Sequence, residues 1–267
     1  MTVPRDRLFA FAFLLLTLNA LTTFIGAAAL VFGWISASLN LFDISAIVWL
    51  AIAAGLALLW TSPSKLPSRR SDAAMLGLAL IAALLPVPVV SSAMLTVLSL
   101  WGLLTSPPRS SLRRAATIFL SITAFLVWGR IALFWGAGPL LSADARFVAL
   151  IAGTGSSGNT VSFVDGTRFM IAPACSSLHG VSLALILWTT VVQYFAIPID
   201  RRVWVTLVFA VVASIAVNGL RLSVIAFNPH DFDYWHVGTG GALFGWIALA
   251  AVVGVIYRGL NNARRLA

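Results

Sequence analysis

Residues 73–104 read AAMLGLALIAALLPVPVVSSAMLTVLSLWGLL, and how this run divides decides the fold. As one helix it would extend about 48 Å at 1.5 Å per residue, against a hydrocarbon core of about 30 Å. Pro86 and Pro88 interrupt it near the middle. Proline removes a backbone donor and breaks a helix interior, so Pro-Val-Pro reads as a tight turn between two short spans, 73–86 and 89–105. Apolar runs of spanning length stand on either side. Upstream they are 8–34 and 44–60; downstream they are 115–136, 174–196, 203–227 and 236–258. The expected fold is an all-α integral membrane protein of about eight transmembrane helices.

Composition supports this. Of the 267 residues, 60% are hydrophobic and 9% charged, where a soluble domain carries about 25% charged residues. The mean hydropathy is +1.00. The first residues, Met1–Arg7 followed by apolar chain, are similar to a signal peptide. The apolar run is too long for that, and it reads as the first span. A seven-span alternative, with 73–104 as one kinked helix, is decided by charge. Basic residues cluster at Arg5 and Arg7; at Lys65, Arg69 and Arg70; at Arg109, Arg113 and Arg114; at Arg201 and Arg202; and at Arg258, Arg264 and Arg265. Eight spans put all of these on one side, with no Lys or Arg in the short loops 36–43, 86–88 and 228–235. Seven spans would scatter them. The positive-inside rule then places both termini in the cytoplasm of a multi-pass plasma (inner) membrane. The net charge of +9 is thus a topology signal, with contact to membrane lipids. No nucleic-acid partner is expected, because no basic stripe lies on a soluble element. No feature of the sequence sets an oligomeric state.

The chain reads as a single polytopic domain over 1–267. It has a five-helix part, 1–136, an extracytoplasmic segment, 137–173, and a three-helix part, 174–258. In the segment, Asn159–Ile171 holds two β-rich runs around Asp165-Gly166, a hairpin signal. Gly153–Gly158 reads as flexible loop. It has no preceding strand and no following Lys, which argues against a phosphate loop. The hairpin leads into Pro173-Ala174-Cys175. It reads either as a lid on the membrane surface or as an edge that delivers an extended polypeptide to the cysteine.

Cys175 is the single cysteine, which rules out an intrachain disulfide or a cysteine cluster. It opens the sixth span, with Ser176 and Ser177 after it. A thiol at a helix N-terminus meets the positive end of the dipole, which favours its anionic form. Alone, it also fits a small buried hydrophobe. Arg221 lies within the seventh span, near its outer end. A guanidinium there costs at least about 2.5–3.5 kcal/mol on the lenient insertion scale. It needs a partner or a wet cavity, unless it snorkels outward. Ser214, Asn218 and Arg221 recur at i, i+4 and i+7, one helical face that must look inward. Arg130, mid-span in the fifth helix, has no such stripe. His236 opens the eighth span, His179 stands four residues after Cys175, and His230 lies in the last outer loop; any of them could act as a base. Cys175, Arg221 and His236 arrive at one membrane depth from three helices, a set suited to acyl transfer.

Three blocks, Pro-Ala-Cys-Ser-Ser-Leu-His-Gly at 173–180, Asn-Gly-Leu-Arg-Leu at 218–222 and Asp-Tyr-Trp-His-Val-Gly at 233–238, resemble the signature blocks of the exosortase/archaeosortase family. These are membrane cysteine proteases or transpeptidases. The resemblance covers about 150–245, while the first four spans match only in hydrophobicity. It implies Cys175 as nucleophile, Arg221 as transition-state cation and His236 as base, with Asn218, Ser176 and His179 in support. It implies no metal and no cofactor. The implied substrate is a secreted or surface protein with a C-terminal tail of short motif, apolar helix and basic end. Cleavage would fall at the extracytoplasmic face. Ser177 stands where the family pattern has Gly, which keeps His179 as a rival base. Two other classes remain: an anion or small-molecule transporter, and a non-catalytic scaffold subunit. The first expects inverted repeats of broken helices, which the sequence lacks. The second expects an inert thiol.

Overall fold

A computed structural model describes residues 4–61, 68–236 and 238–265, the last four of these as backbone only. Lys65 of the basic loop and Val237 of the histidine block lie outside the described residues. In chain order the helices begin with α1 (Arg5–Phe32), α2 (Trp34–Leu39), α3 (Ala46–Thr61), α4 (Arg70–Leu84), α5 (Pro88–Thr105), α6 (Ser111–Thr123) and α7 (Gly129–Ala152). A small sheet follows, with β1 (Ser156–Ser157), β2 (Thr160–Ser162) and β3 (Arg168–Met170). The chain ends with α8 (Ser177–Tyr194), α9 (Arg201–Phe227), α10 (Phe232–His236) and α11 (Thr239–Arg265). Among the described residues six helices are long and apolar enough to cross a membrane, and Ala46–Thr61 is a shorter apolar helix. The chain is an all-α membrane protein with a small β-hairpin element. All eight expected spans are helical, but the 15 residues of α4 and the 16 of α3 reach only about 22–24 Å. The count of eight crossings is therefore not established by helix length.

The chain folds as two compact units, Met1–Trp128 with Ile186–Pro198, and Gly129–Leu185 with Ile199–Ala267. In the first, α4 ends at Leu84 and α5 starts at Pro88, and the two pack on each other. Pro-Val-Pro is therefore a turn between two helices. The core centres on Phe119, stacked on Phe13 with centroids 4.3 Å apart, among fully buried Phe9, Leu16 and Leu21. One end of this unit is tied by polar contacts. Arg5 Nε and Asp72 Oδ2 form a buried ion pair at 2.8 Å. Arg5 also donates to the Thr105 hydroxyl at 2.6 Å, and Trp101 Nε1 to Asp72 at 2.9 Å. Ser111 donates to Asp6 at 2.7 Å. Arg114 donates to the carbonyls of Gln193 and Tyr194, each at 2.6 Å. The starts of α1, α4 and α6 and the ends of α5 and α8 thus share one end.

In the second unit the helical path runs further than expected. Residues 137–152, the first part of the segment read as extracytoplasmic, belong to α7, and Ser111–Ala152 is helical throughout. A π turn at Ala124–Trp128 and Pro139 inside α7 do not end it. The cause is a buried stripe, Leu141, Ala145, Val148, Ala149 and Ala152, whose 3.6-residue period the interspersed Ser142, Asp144 and Arg146 conceal from hydropathy. That stripe packs on Val161, Phe163, Phe169 and Ile171 of the hairpin and on Leu222, Ile225 and Ala226 of α9. Gly219 of α9 lets the helices approach: a Cβ there would collide with the Phe147 ring of α7.

The hairpin turns at Asp165-Gly166, as its sequence signal requires. Gly166 takes φ +86°, and Phe163 N–H to Thr167 C=O (2.7 Å) closes the turn. Asp165 accepts from the Thr167 hydroxyl (2.6 Å) and N–H (2.9 Å), which holds its carboxyl below the ordinary range. The sheet order is β1-β2-β3, antiparallel, with Thr160 opposite Met170 and Ser162 opposite Arg168. Ser156–Ser157, within the stretch read as loop, forms β1. Val164 N–H reaches the Ala226 carbonyl at 3.2 Å, so the hairpin tip occupies an acceptor that the end of α9 leaves open.

Candidate active site

Cys175 lies outside α8. Pro173–Cys175 is a single 3₁₀ turn, closed by Cys175 N–H to Ala172 C=O at 2.9 Å, and α8 begins at Ser177. The expected i+4 relation between Cys175 and His179 is therefore lost, and His179 stands exposed on α8. His236 does not open the last long helix. It ends the short helix α10, and Gly238 N–H turns back to Asp233 C=O (2.9 Å) before α11 begins. These two departures bring the two groups together: Cys175 Sγ lies 3.0 Å from His236 Nε2.

Three other elements hold this contact. From α9, Asn218 Nδ2 donates to the Cys175 carbonyl at 3.0 Å, fixing the backbone of the thiol. From α7, Asp144 accepts from Ser177 twice, from N–H at 3.0 Å and from the hydroxyl at 2.6 Å. A carboxylate at the first turn of α8 satisfies an orphan donor and meets the positive end of the helix dipole. From the hairpin, Phe163 and Phe169 pack edge-on to Phe232, each at 6.3 Å. Phe232 in turn stacks on the His236 ring at 4.9 Å and 26°. The imidazole is thus set by an aromatic cluster and the thiol by two polar anchors.

Arg221 follows Asn218 by three residues on α9, one turn nearer the end that leads to α10. Its Nε is buried without a hydrogen-bond partner among the described residues. Ser176 is 3% exposed, and its hydroxyl likewise has no partner among them. Ser214, first in the expected polar stripe, is buried against Gly180 of α8. Arg130 and His230 are exposed. Sequence reasoning missed Asp144 and Phe232. Asp144 carried one signal, a lone acid between the buried positions Leu141, Ala145 and Val148. Phe232 carried another, its i+4 spacing to His236. Among the described residues no group of three or more His, Cys, Asp or Glu side chains could hold a metal ion.

A thiol against an imidazole nitrogen, with its backbone fixed and a buried guanidinium donor on the anchoring helix, is equipped for nucleophilic attack on an acyl group. Comparison with known proteins narrows the class. A family model for transmembrane exosortases matches residues 41–253. That range includes the thiol–imidazole contact and all of its anchors. No curated protein and no solved structure matches the chain significantly. The match carries a membrane protease or transpeptidase role on protein substrates with sorting signals. The chain belongs to the transmembrane exosortase family.

Proposed function

We propose that this protein cleaves C-terminal sorting tails of secreted or surface proteins at the extracytoplasmic membrane face, by a Cys-Arg-His mechanism. The observation that carries the reading is the 3.0 Å approach of Cys175 Sγ to His236 Nε2. His236 takes the thiol proton, and the thiolate attacks the scissile carbonyl carbon. The Arg221 guanidinium stabilises the oxyanion of the tetrahedral intermediate. As that intermediate collapses, the peptide C–N bond breaks and His236 returns the proton to the leaving amine. The acyl group, now a thioester on Cys175, passes to water or to an acceptor amine. Asn218 holds the Cys175 carbonyl so that Sγ stays within reach of the base. Ser176 supports the same turn through its N–H, which donates to the Pro173 carbonyl at 3.3 Å.

In this reading residues 174–258 form the catalytic part, and 137–173 delivers the hairpin to it. Both termini lie in the cytoplasm and the site lies outside. One observation supports the orientation: Arg5, Arg113 and Arg114 belong to element ends that polar contacts gather at one end of the first unit. The tail's apolar helix would lie in lipid with its scissile bond at the outer interface.

The test compares cells carrying wild type, Cys175→Ala or Arg221→Ala, by mass spectrometry of surface-protein C-termini. Unprocessed tails accumulate in both variants. Normal processing in both removes the catalytic assignment.

A further inference from the structure

Hydrogen-bond parity in the hairpin identifies an open edge beside the thiol. Phe163 N–H bonds to Thr167 C=O, and Ile171 N–H to Asn159 C=O. In an antiparallel ladder, bonded and non-bonded pairs alternate. The bonded pairs are therefore 163/167, 161/169 and 159/171, while Thr160/Met170 and Ser162/Arg168 are non-bonded. The backbone N–H and C=O groups of Arg168 and Met170 point away from β2. β3 is the last strand of the sheet, and these groups have no partner among the described residues. The side chains do not cover the edge: Arg168 is exposed and Met170 is 67% exposed. Phe169 between them faces the core.

From this we infer that β3 is the docking edge for substrate, which pairs as a fourth strand along Arg168–Met170. The inference rests on the protease reading above. The occupant is the extended polypeptide preceding the scissile bond. Only a backbone offers donors and acceptors at the strand repeat, and the tail beyond the bond is a helix whose interior backbone groups bond internally. The edge is continuous with the nucleophile. From Met170 the chain runs extended through Ala172 and then makes the one turn that ends at Cys175, at most about 13 Å along the backbone. A docked segment of about four residues covers that distance. Main-chain pairing supplies affinity with little demand on sequence. Selection falls to the side chains that meet Met170 and Arg168.

The experiment removes the outward N–H groups alone. Proline is tolerated at an edge position whose N–H faces outward, so Met170→Pro and Arg168→Pro preserve pairing with β2. Each is compared with the alanine variant at the same position, which loses the side chain but keeps the N–H. Tail processing is read from surface-protein C-termini, and the state of the site from the alkylation rate of Cys175 by iodoacetamide. The expected result is processing at least about fivefold lower in each proline variant than in its alanine counterpart, with alkylation at the wild-type rate. A proline variant that alkylates normally and processes tails as well as its alanine counterpart overturns the docking edge. If Met170→Pro slows alkylation, its hairpin is disturbed and Arg168→Pro decides the question. Normal processing in Cys175→Ala would remove the protease reading itself, a different result from failure of the proline pair.

Discussion

Asp144→Ala removes both anchors from the first turn of α8. Asp144 is 8% exposed, and it accepts two hydrogen bonds from Ser177, at 3.0 and 2.6 Å. A hydrogen bond to a charged group contributes about 1.5–3 kcal/mol, so losing both costs about 3–6 kcal/mol of stability. Ser177→Ala removes only the hydroxyl bond, about 1.5–3 kcal/mol. The double variant should be no less stable than Asp144→Ala alone, because the hydroxyl has already lost its partner. The coupling energy is then about 1.5–3 kcal/mol. Equilibrium unfolding in mixed micelles, followed by tryptophan fluorescence, measures it. The turn carrying Cys175 ends where this anchor begins, so alkylation of Cys175 slows in parallel, and Asp144→Asn, which keeps an acceptor, recovers part of both losses. Additivity of the two alanine variants within about 0.5 kcal/mol would refute the reasoning, since it would mean that the two side chains do not act on each other.

Two further outcomes are expected. His236→Ala lowers Cys175 alkylation at neutral pH and tail processing, by about a hundredfold or more for a lost general base, while His179→Ala does far less; the reverse ranking would move the base to His179. In the first unit, Arg5→Ala or Asp72→Ala alone leaves a buried charge and costs about 3–5 kcal/mol, whereas Arg5→Met with Asp72→Leu is closer to wild type in the same unfolding measurement, and a double variant worse than either single one would contradict this.

Hydropathy alone located the long apolar helices, because lipid leaves a long apolar run little choice but a helix. Asp165-Gly166 was legible for a local reason: Gly166 takes φ +86°, a left-handed conformation that glycine adopts without steric cost. The stripe of Ser214, Asn218 and Arg221 was legible as a face, and Asn218 reaches the Cys175 backbone. The continuation of α7 to Ala152 was not legible, since Pro139, Ser142, Asp144 and Arg146 interrupt its apolar stripe, and averaging over a window erases the period. Nor was the break at His236. The Trp235-His236-Val237-Gly238 stretch runs into apolar chain without a proline, and the separation of α10 from α11 depends on Gly238 turning back to Asp233. Asp144 stood out only as a lone acid; its role was not legible because its partner, Ser177, lies 33 residues away, and no local pattern links the two.

The first unit is discontinuous in the chain: it closes only when Ile186–Pro198 joins Met1–Trp128. A ribosome delivers the N-terminal helices first, yet the acceptors for Arg114 at Gln193 and Tyr194 emerge about 80 residues later. By then the hairpin and the cysteine have already been synthesised. Maturation of the N-terminal half therefore waits on translation of the nucleophile. A chain truncated anywhere before Ile186 would leave that half unfinished, as a target for membrane quality control.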